Sequence, residues 1–82
     1  MYGNRMAGRL SGYNFVEPTI LRILTDSTIS LSLLAISYHV NASIGRTINL
    51  NVVKKNLTFL VSHKKISEKM EANGVTYYKL IL

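Results

Sequence analysis

Lys54 and Lys55 stand side by side in the stretch NLNVVKKNLTFLVSHKKI, residues 49 to 66. At helical spacing Asn51, Lys55, Thr58 and Ser62 share one side of a wheel, with Lys54 at its edge. All are hydrogen-bonding side chains, and no Asp or Glu occurs from Asn49 through Ser67. An ordinary solvated helix mixes Glu with Lys in i, i+4 pairs. A face of amides, hydroxyls and unpaired ammonium groups suits an anion instead, above all phosphates and the edges of bases. The plainer alternative is a basic helix facing water.

Other chemistry finds little material. The 82 residues include four acids, two histidines and no cysteine. Disulfides, thiol catalysis and zinc-thiolate sites are therefore excluded. His39 and His63 have no carboxylate or second His at chelating spacing, so no metal is expected. Glu68 and Glu71 have no base or metal set beside them, and no Gly-rich phosphate loop occurs. No enzyme, cofactor or small-molecule substrate is expected.

The charge points the same way. Ten Lys and Arg against four Asp and Glu leave +6 on one small domain, an excess that favours an anionic partner, nucleic acid ahead of membrane. From Arg46 onward Lys54, Lys55, Lys64, Lys65, Lys69 and Lys79 add to it against Glu68 and Glu71, while the first half is nearly neutral apart from Arg5 and Arg9. No apolar run approaches the roughly 18 residues that cross a bilayer, and the N-terminus lacks a secretory apolar segment. A cytoplasmic, intracellular setting is expected, and the sequons at Asn41 and Asn56 are read as chance.

These residues need a scaffold. Residues 1–14 hold glycines and no clear periodicity, and read as a flexible basic arm; the domain is expected over residues 15–82. A first helix is expected from about Glu17-Pro18 to Asp26-Ser27, with Asn14 and Glu17 at capping-box spacing and Val16, Ile20, Ile23 and Leu24 on its inner face. A short strand near Thr28–Ser30 should run into a second helix capped by Ser30 or Ser32. That helix is apolar on two sides, one carrying Leu31, Leu34, Ala35 and Tyr38, the other Leu33, Ile36 and Val40. It should be sandwiched, its second side meeting the arm or another subunit. Residues 41–48 are expected to connect to the third helix around Gly45.

Asn49 should cap the third helix, whose core side is Leu50, Val53, Leu57, Leu60 and Val61. Val52 and Phe59 lie 40–60° from Lys55 on the wheel, and packing is their expected role, ahead of a partner subunit or a thymine methyl. After Lys65 two β-prone runs, Ile66–Met70 and Val75–Leu80, flank Asn73-Gly74, a tight-hairpin signal. The hairpin either covers the core or reaches a phosphate backbone through Lys69 and Asn73.

Helix, short strand, helix, basic helix and hairpin, in that order, resemble the winged helix-turn-helix domain, an α+β fold. The similarity is most specific at Asn49, Asn51, Lys54, Lys55, Leu57, Phe59, Leu60, Val61 and Ile66, which resemble the third helix of small archaeal and archaeal-virus transcription regulators. It covers roughly residues 16 to 82. Three departures stand out. Lys64 replaces the family's usual glycine, which puts a Schellman-type cap in question and costs up to about 1 kcal/mol. The connection before helix 3 looks about four residues longer than the family's usual tight turn, unless helix 2 continues or Gly45-Arg46 bulges. No C-terminal dimerisation helix follows before Leu82, so a homodimer would use helix 1, helix 2 or the arm.

The resemblance implies a sequence-specific double-stranded DNA-binding transcriptional regulator, homodimeric, with helix 3 (about 49–63) in the major groove and the 66–80 hairpin as wing. Asn51, Lys55 and Thr58 would meet base edges. Arg46, Lys54 and Ser62 would hold phosphates, joined by Lys69 and Asn73 from the wing. Arg5 and Arg9 would reach a minor groove. A protein-interaction module within a larger assembly, or a non-specific nucleic-acid binder, are the alternatives.

Overall fold

The structure, a computed structural model, describes residues 15–81. The expected arm, with Arg5 and Arg9, lies outside the described residues. Among the described residues three helices and three strands follow in the expected order: α1 (Val16–Asp26), β1 (Leu31–Ser32), α2 (Leu33–Ile44), α3 (Leu50–Ser62), β2 (Ile66–Met70) and β3 (Thr76–Leu80).

In α1 the i, i+4, i+8 row Val16, Ile20 and Leu24 is buried. Phe15 precedes the helix and offers no side-chain cap hydrogen bond; the expected Asn14 cap lies outside the described residues. The strand after α1 also differs from expectation. Ser27 Oγ donates to the Ile29 carbonyl at 2.6 Å, and the Ile29 amide returns a bond to Ser27 Oγ at 3.3 Å. This local turn occupies the alternating residues, so β1 begins only at Leu31, where it pairs with β3 as Leu31↔Tyr78 and Ser32↔Tyr77.

Ser32, not Ser30, caps α2: its Oγ accepts from the Ala35 amide at 3.2 Å. The helix runs to Ile44, well into the expected connection, and ends on Gly45 at φ 85°, a left-handed conformation that glycine adopts without steric cost. Asn41, a polar residue that reads as loop, belongs to the last helical turn. Its Oδ1 accepts from the Ile48 amide at 2.8 Å and ties the short turn back to the helix. The extra connection length is thereby absorbed by α2. Ile36 and Val40 form its inner row, while Leu34 and Tyr38 of the other stripe stay outside, 70% and 71% exposed.

Asn49 caps α3 as expected, its Oδ1 accepting from the Asn51 amide at 2.8 Å. Val53, Leu57 and Leu60 are fully buried against Val16, Ile20, Ile36, Val40 and Ile66. Leu50 is not core but 40% exposed. At the first helical position its side chain leans toward the N-terminus, past the end of the packed row. Val52 packs partly against the core, whereas Phe59 is 45% exposed and lies over His63, ring centroids 4.0 Å apart.

The C-terminus of α3 forms the cap that Lys64 put in question. Lys64 takes φ 61°. Its amide donates to the Val61 carbonyl at 3.0 Å, and the Lys65 amide donates to Leu60 at 2.9 Å, the paired bonds of a Schellman motif. The two bonds, and the need to turn directly into buried Ile66, outweigh the steric cost of a side chain there.

β2 and β3 pair from Ile66↔Leu80 to Met70↔Thr76, giving sheet order β1-β3-β2. Val75 belongs to the turn rather than to the strand. The Gly74 amide donates to Glu71, the Glu71 amide to Val75, and the Val75 amide to Asn73 Oδ1, each at 2.9 Å. Within this loop Gly74 alone takes positive φ, at 82°. The loop is thus a three-residue turn ending on a left-handed glycine rather than a two-residue Asn-Gly turn.

Lys64→Gly should stabilise the fold by up to about 1 kcal/mol, because glycine adopts the left-handed conformation without strain. Urea unfolding of the two proteins checks this; an unchanged or lower midpoint would contradict the strain.

Candidate nucleic-acid interface

With one side of α3 sealed into the core, the opposite side is fixed in direction. Asn51, Lys54, Lys55, Thr58 and Ser62 are all exposed, and the first four line one shallow depression along the helix. Neither lysine forms an ion pair among the described residues, whereas Lys69 Nζ lies 4.0 Å from Glu71 Oε2 on the open wing. Such an exposed contact holds its partners loosely.

Lys54 also stands where three elements converge. It shares a cleft with Ser32, Leu33 and Leu34 at the start of α2 and with Val75, Thr76, Tyr77 and Tyr78 of the hairpin. The first amides of a helix lack intrahelical acceptors and carry partial positive charge. Lys54 therefore adds a full charge beside a partial one. Lys55 lies further round, in a hollow with Glu17, Asn56 and Phe59. Arg46 is exposed in the turn between α2 and α3.

Several expected residues have other structural work. Ser62 Oγ donates to the Phe59 carbonyl at 2.8 Å, so its proton is engaged at the helix end. Asn73 organises the turn: besides accepting from Val75, its Nδ2 donates to Tyr77 Oη at 3.3 Å. Sequence reasoning passed over Tyr77. Its ring connects the α2–α3 cleft to the wing hollow lined by Ser30, Glu71, Ala72 and Asn73. The available signal was the alternation in β3, which sends Tyr77 and Tyr78 to opposite faces.

Tyr78 is the buried member of that pair. Burial, with a smaller contribution from the Glu68 carboxylate across the strand, raises its phenol above the ordinary 10.0. No group of three or more His, Asp or Glu side chains stands together among the described residues to hold a metal ion, and no helix among them is long and apolar enough to cross a membrane.

The geometry has counterparts among solved structures. The chain superposes on the Helicobacter pylori ferric uptake regulator Fur with a TM-score of 0.76 and 20% identity, over 93% of this chain and 51% of that one. The Vibrio cholerae ferric uptake regulator matches with a TM-score of 0.69 and 16% identity, over 93% of this chain and 61% of that one. The fold is a winged helix. The chain spans between half and about three-fifths of the length of these regulators. The Vibrio cholerae structure is described for rearrangement of its DNA-binding domains, and the Helicobacter pylori structure for three functional metal-binding sites. No family model and no curated protein matches the sequence.

The Tyr78 phenol bears on stability. The folded chain holds that proton at a pH where the unfolded chain releases it, so the contribution is intact below pH 10 and is lost as pH rises beyond it. Tyr78→Phe should therefore lose less stability than the wild type between pH 8 and pH 11. Urea unfolding at the two pH values tests it; equal losses would contradict the buried-phenol account.

Proposed function

We propose that the chain is a sequence-specific double-stranded DNA-binding transcriptional regulator, acting inside the cell as a homodimer and not as an enzyme. The observation that carries this reading is the outward face of α3: exposed, free of acids, with two lysines that have no ion-pair partner among the described residues. The winged-helix fold supports it, and so does the excess of six positive charges. The pattern of α3 is similar to that of small archaeal and archaeal-virus regulators, and we infer a protein of that type.

In this reading α3 lies in the major groove. Asn51 meets adenine, Lys55 guanine and Thr58 a thymine methyl. Lys54 holds a phosphate in the cleft beside the start of α2, with Arg46 serving the backbone on one side and Ser62 on the other, where its hydroxyl must turn from the Phe59 carbonyl to donate to a phosphate. Lys69 and Asn73 approach the backbone from the wing. Asn73 then acts chiefly by shaping the turn, and Lys69 must leave Glu71, a separation that costs little at 4.0 Å in open solvent. Arg5 and Arg9 extend the contacts into a minor groove.

Selection from random duplexes should return a defined site, bound more tightly than random duplex at physiological salt. Equal binding of both would favour a non-specific nucleic-acid binder, and no binding even at low salt would favour a protein-interaction module. Lys55→Ala should weaken binding by about 1–3 kcal/mol and relax preference at one base pair. Lys54→Ala should weaken binding evenly across sequences and reduce the salt slope by about one. Gel-shift titrations over a salt series read both effects; normal duplex binding by the double variant would rule out α3 as the reader.

A further inference from the structure

We propose that the outer stripe of α2 is the surface through which two copies of this chain pair, helix against helix and antiparallel. This inference rests on the homodimer in the reading above and specifies its interface. Leu34 and Tyr38 are among the most exposed large apolar side chains of the described residues, at 70% and 71%. With exposed Ala42 they form an i, i+4, i+8 row down one side of the helix. Exposed Ile29 stands before the helix on the same neutral stretch. Two large apolar side chains in one row on so small a surface indicate a covered face.

Charge selects the occupant. Residues 27 to 45 contain no Lys, Arg, Asp or Glu, in a chain whose net charge is +6. The basic face of α3 would bring like charges together when two copies meet, whereas the α2 stripe itself brings none. Between Leu34 and Ala42 the helix itself offers a basic or acidic partner no charged side chain to pair with. A second copy needs only a neutral, self-complementary surface, and a two-fold axis supplies that complementarity. With the axis at Tyr38, Leu34 sets against the partner's Ala42, so a large side chain meets a small one at both ends. Tyr38 meets the partner's Tyr38 at the centre, its ring already backed edge-on by His39 at a centroid distance of 5.4 Å. A twelve-residue helix is about 18 Å long. One such stripe buries less than the roughly 800 Å² per partner of a standard interface, so the dimer should dissociate on dilution.

Sedimentation equilibrium without DNA, on the full chain over a dilution series, tests the surface separately from DNA binding. The wild type should pass from twice the chain mass to the chain mass. Tyr38→Glu, which sets two carboxylates across the axis, should raise the dissociation constant at least tenfold. Because the chain has no cysteine, Tyr38→Cys provides a second measurement. It should form a disulfide dimer at least ten times faster than Lys79→Cys, at an exposed site on β3. Tyr38→Glu as dimeric as the wild type, with equal cross-linking rates at both sites, would overturn this surface and leave the homodimer standing. A wild type monomeric at every concentration would overturn both. Slow thiol labelling of Tyr38→Cys in that monomer would mark residues 1–14 as the cover. Retained binding of Tyr38→Glu to a single half-site would show that the DNA reading holds whichever way the pairing falls.

Discussion

The row Val53, Leu57 and Leu60, fully excluded from water, determines how α3 is turned. Burying each such side chain stabilises by about 1.5–3 kcal/mol, far more than neighbouring exposed ammonium groups repel each other across water. The helix consequently settles with its aliphatic row inward, and the lysines go wherever that leaves them. Rotating α3 to hide Lys54 or Lys55 would expose the row and bury an unpaired charge, two penalties of the same sign. The outward basic face is thus a by-product of core packing that the sequence can exploit, because no acid was placed there.

The ends of α3 convert that orientation into a fixed position. Asn49 satisfies an orphan amide at one end, and the Lys64 and Lys65 amides satisfy carbonyls at the other. Between them the helix is tied to α2 through the Asn41–Ile48 bond and to the sheet through Ile66. A reading helix has to present its side chains without rearranging, since every rotor immobilised on binding weakens the complex. The hairpin contributes by the same logic. Its three-residue turn, clamped by Asn73 and Gly74, holds Tyr77 and Thr76 against the cleft that Lys54 enters.

Much of this was legible in the residues themselves. The period of α3, its Asn49 cap and its acid-free face depend only on local spacing, so the helix and the exposure of Asn51, Lys54, Lys55 and Thr58 could be read directly. The hairpin was legible from Asn73-Gly74, although its loop length was not, because loop length depends on which residues pair. What escaped was set by tertiary partners. Asn41 reads as loop until its side chain finds Ile48. Thr28–Ser30 alternates like a strand, yet strand β1 forms only where β3 is within reach. Lys64 breaks a local rule because two hydrogen bonds and the burial of Ile66 favour the turn. Leu50 fits the inner row of a wheel, and only the real end of the core shows that nothing lies beneath it. Tyr77 owes its place in the candidate site to strand register, which composition does not encode.

The acid-free side of α3, and not some other basic surface, is the one proposed to meet duplex DNA. Amide ¹H–¹⁵N chemical-shift mapping of the full chain during titration with a selected duplex examines it residue by residue. The largest shifts should fall on Asn51, Lys54, Lys55 and Thr58, with a second group around Asn73 and Tyr77, while α1 stays nearly unmoved. Large shifts confined to α1 or to the outer stripe of α2, with α3 silent, would contradict it.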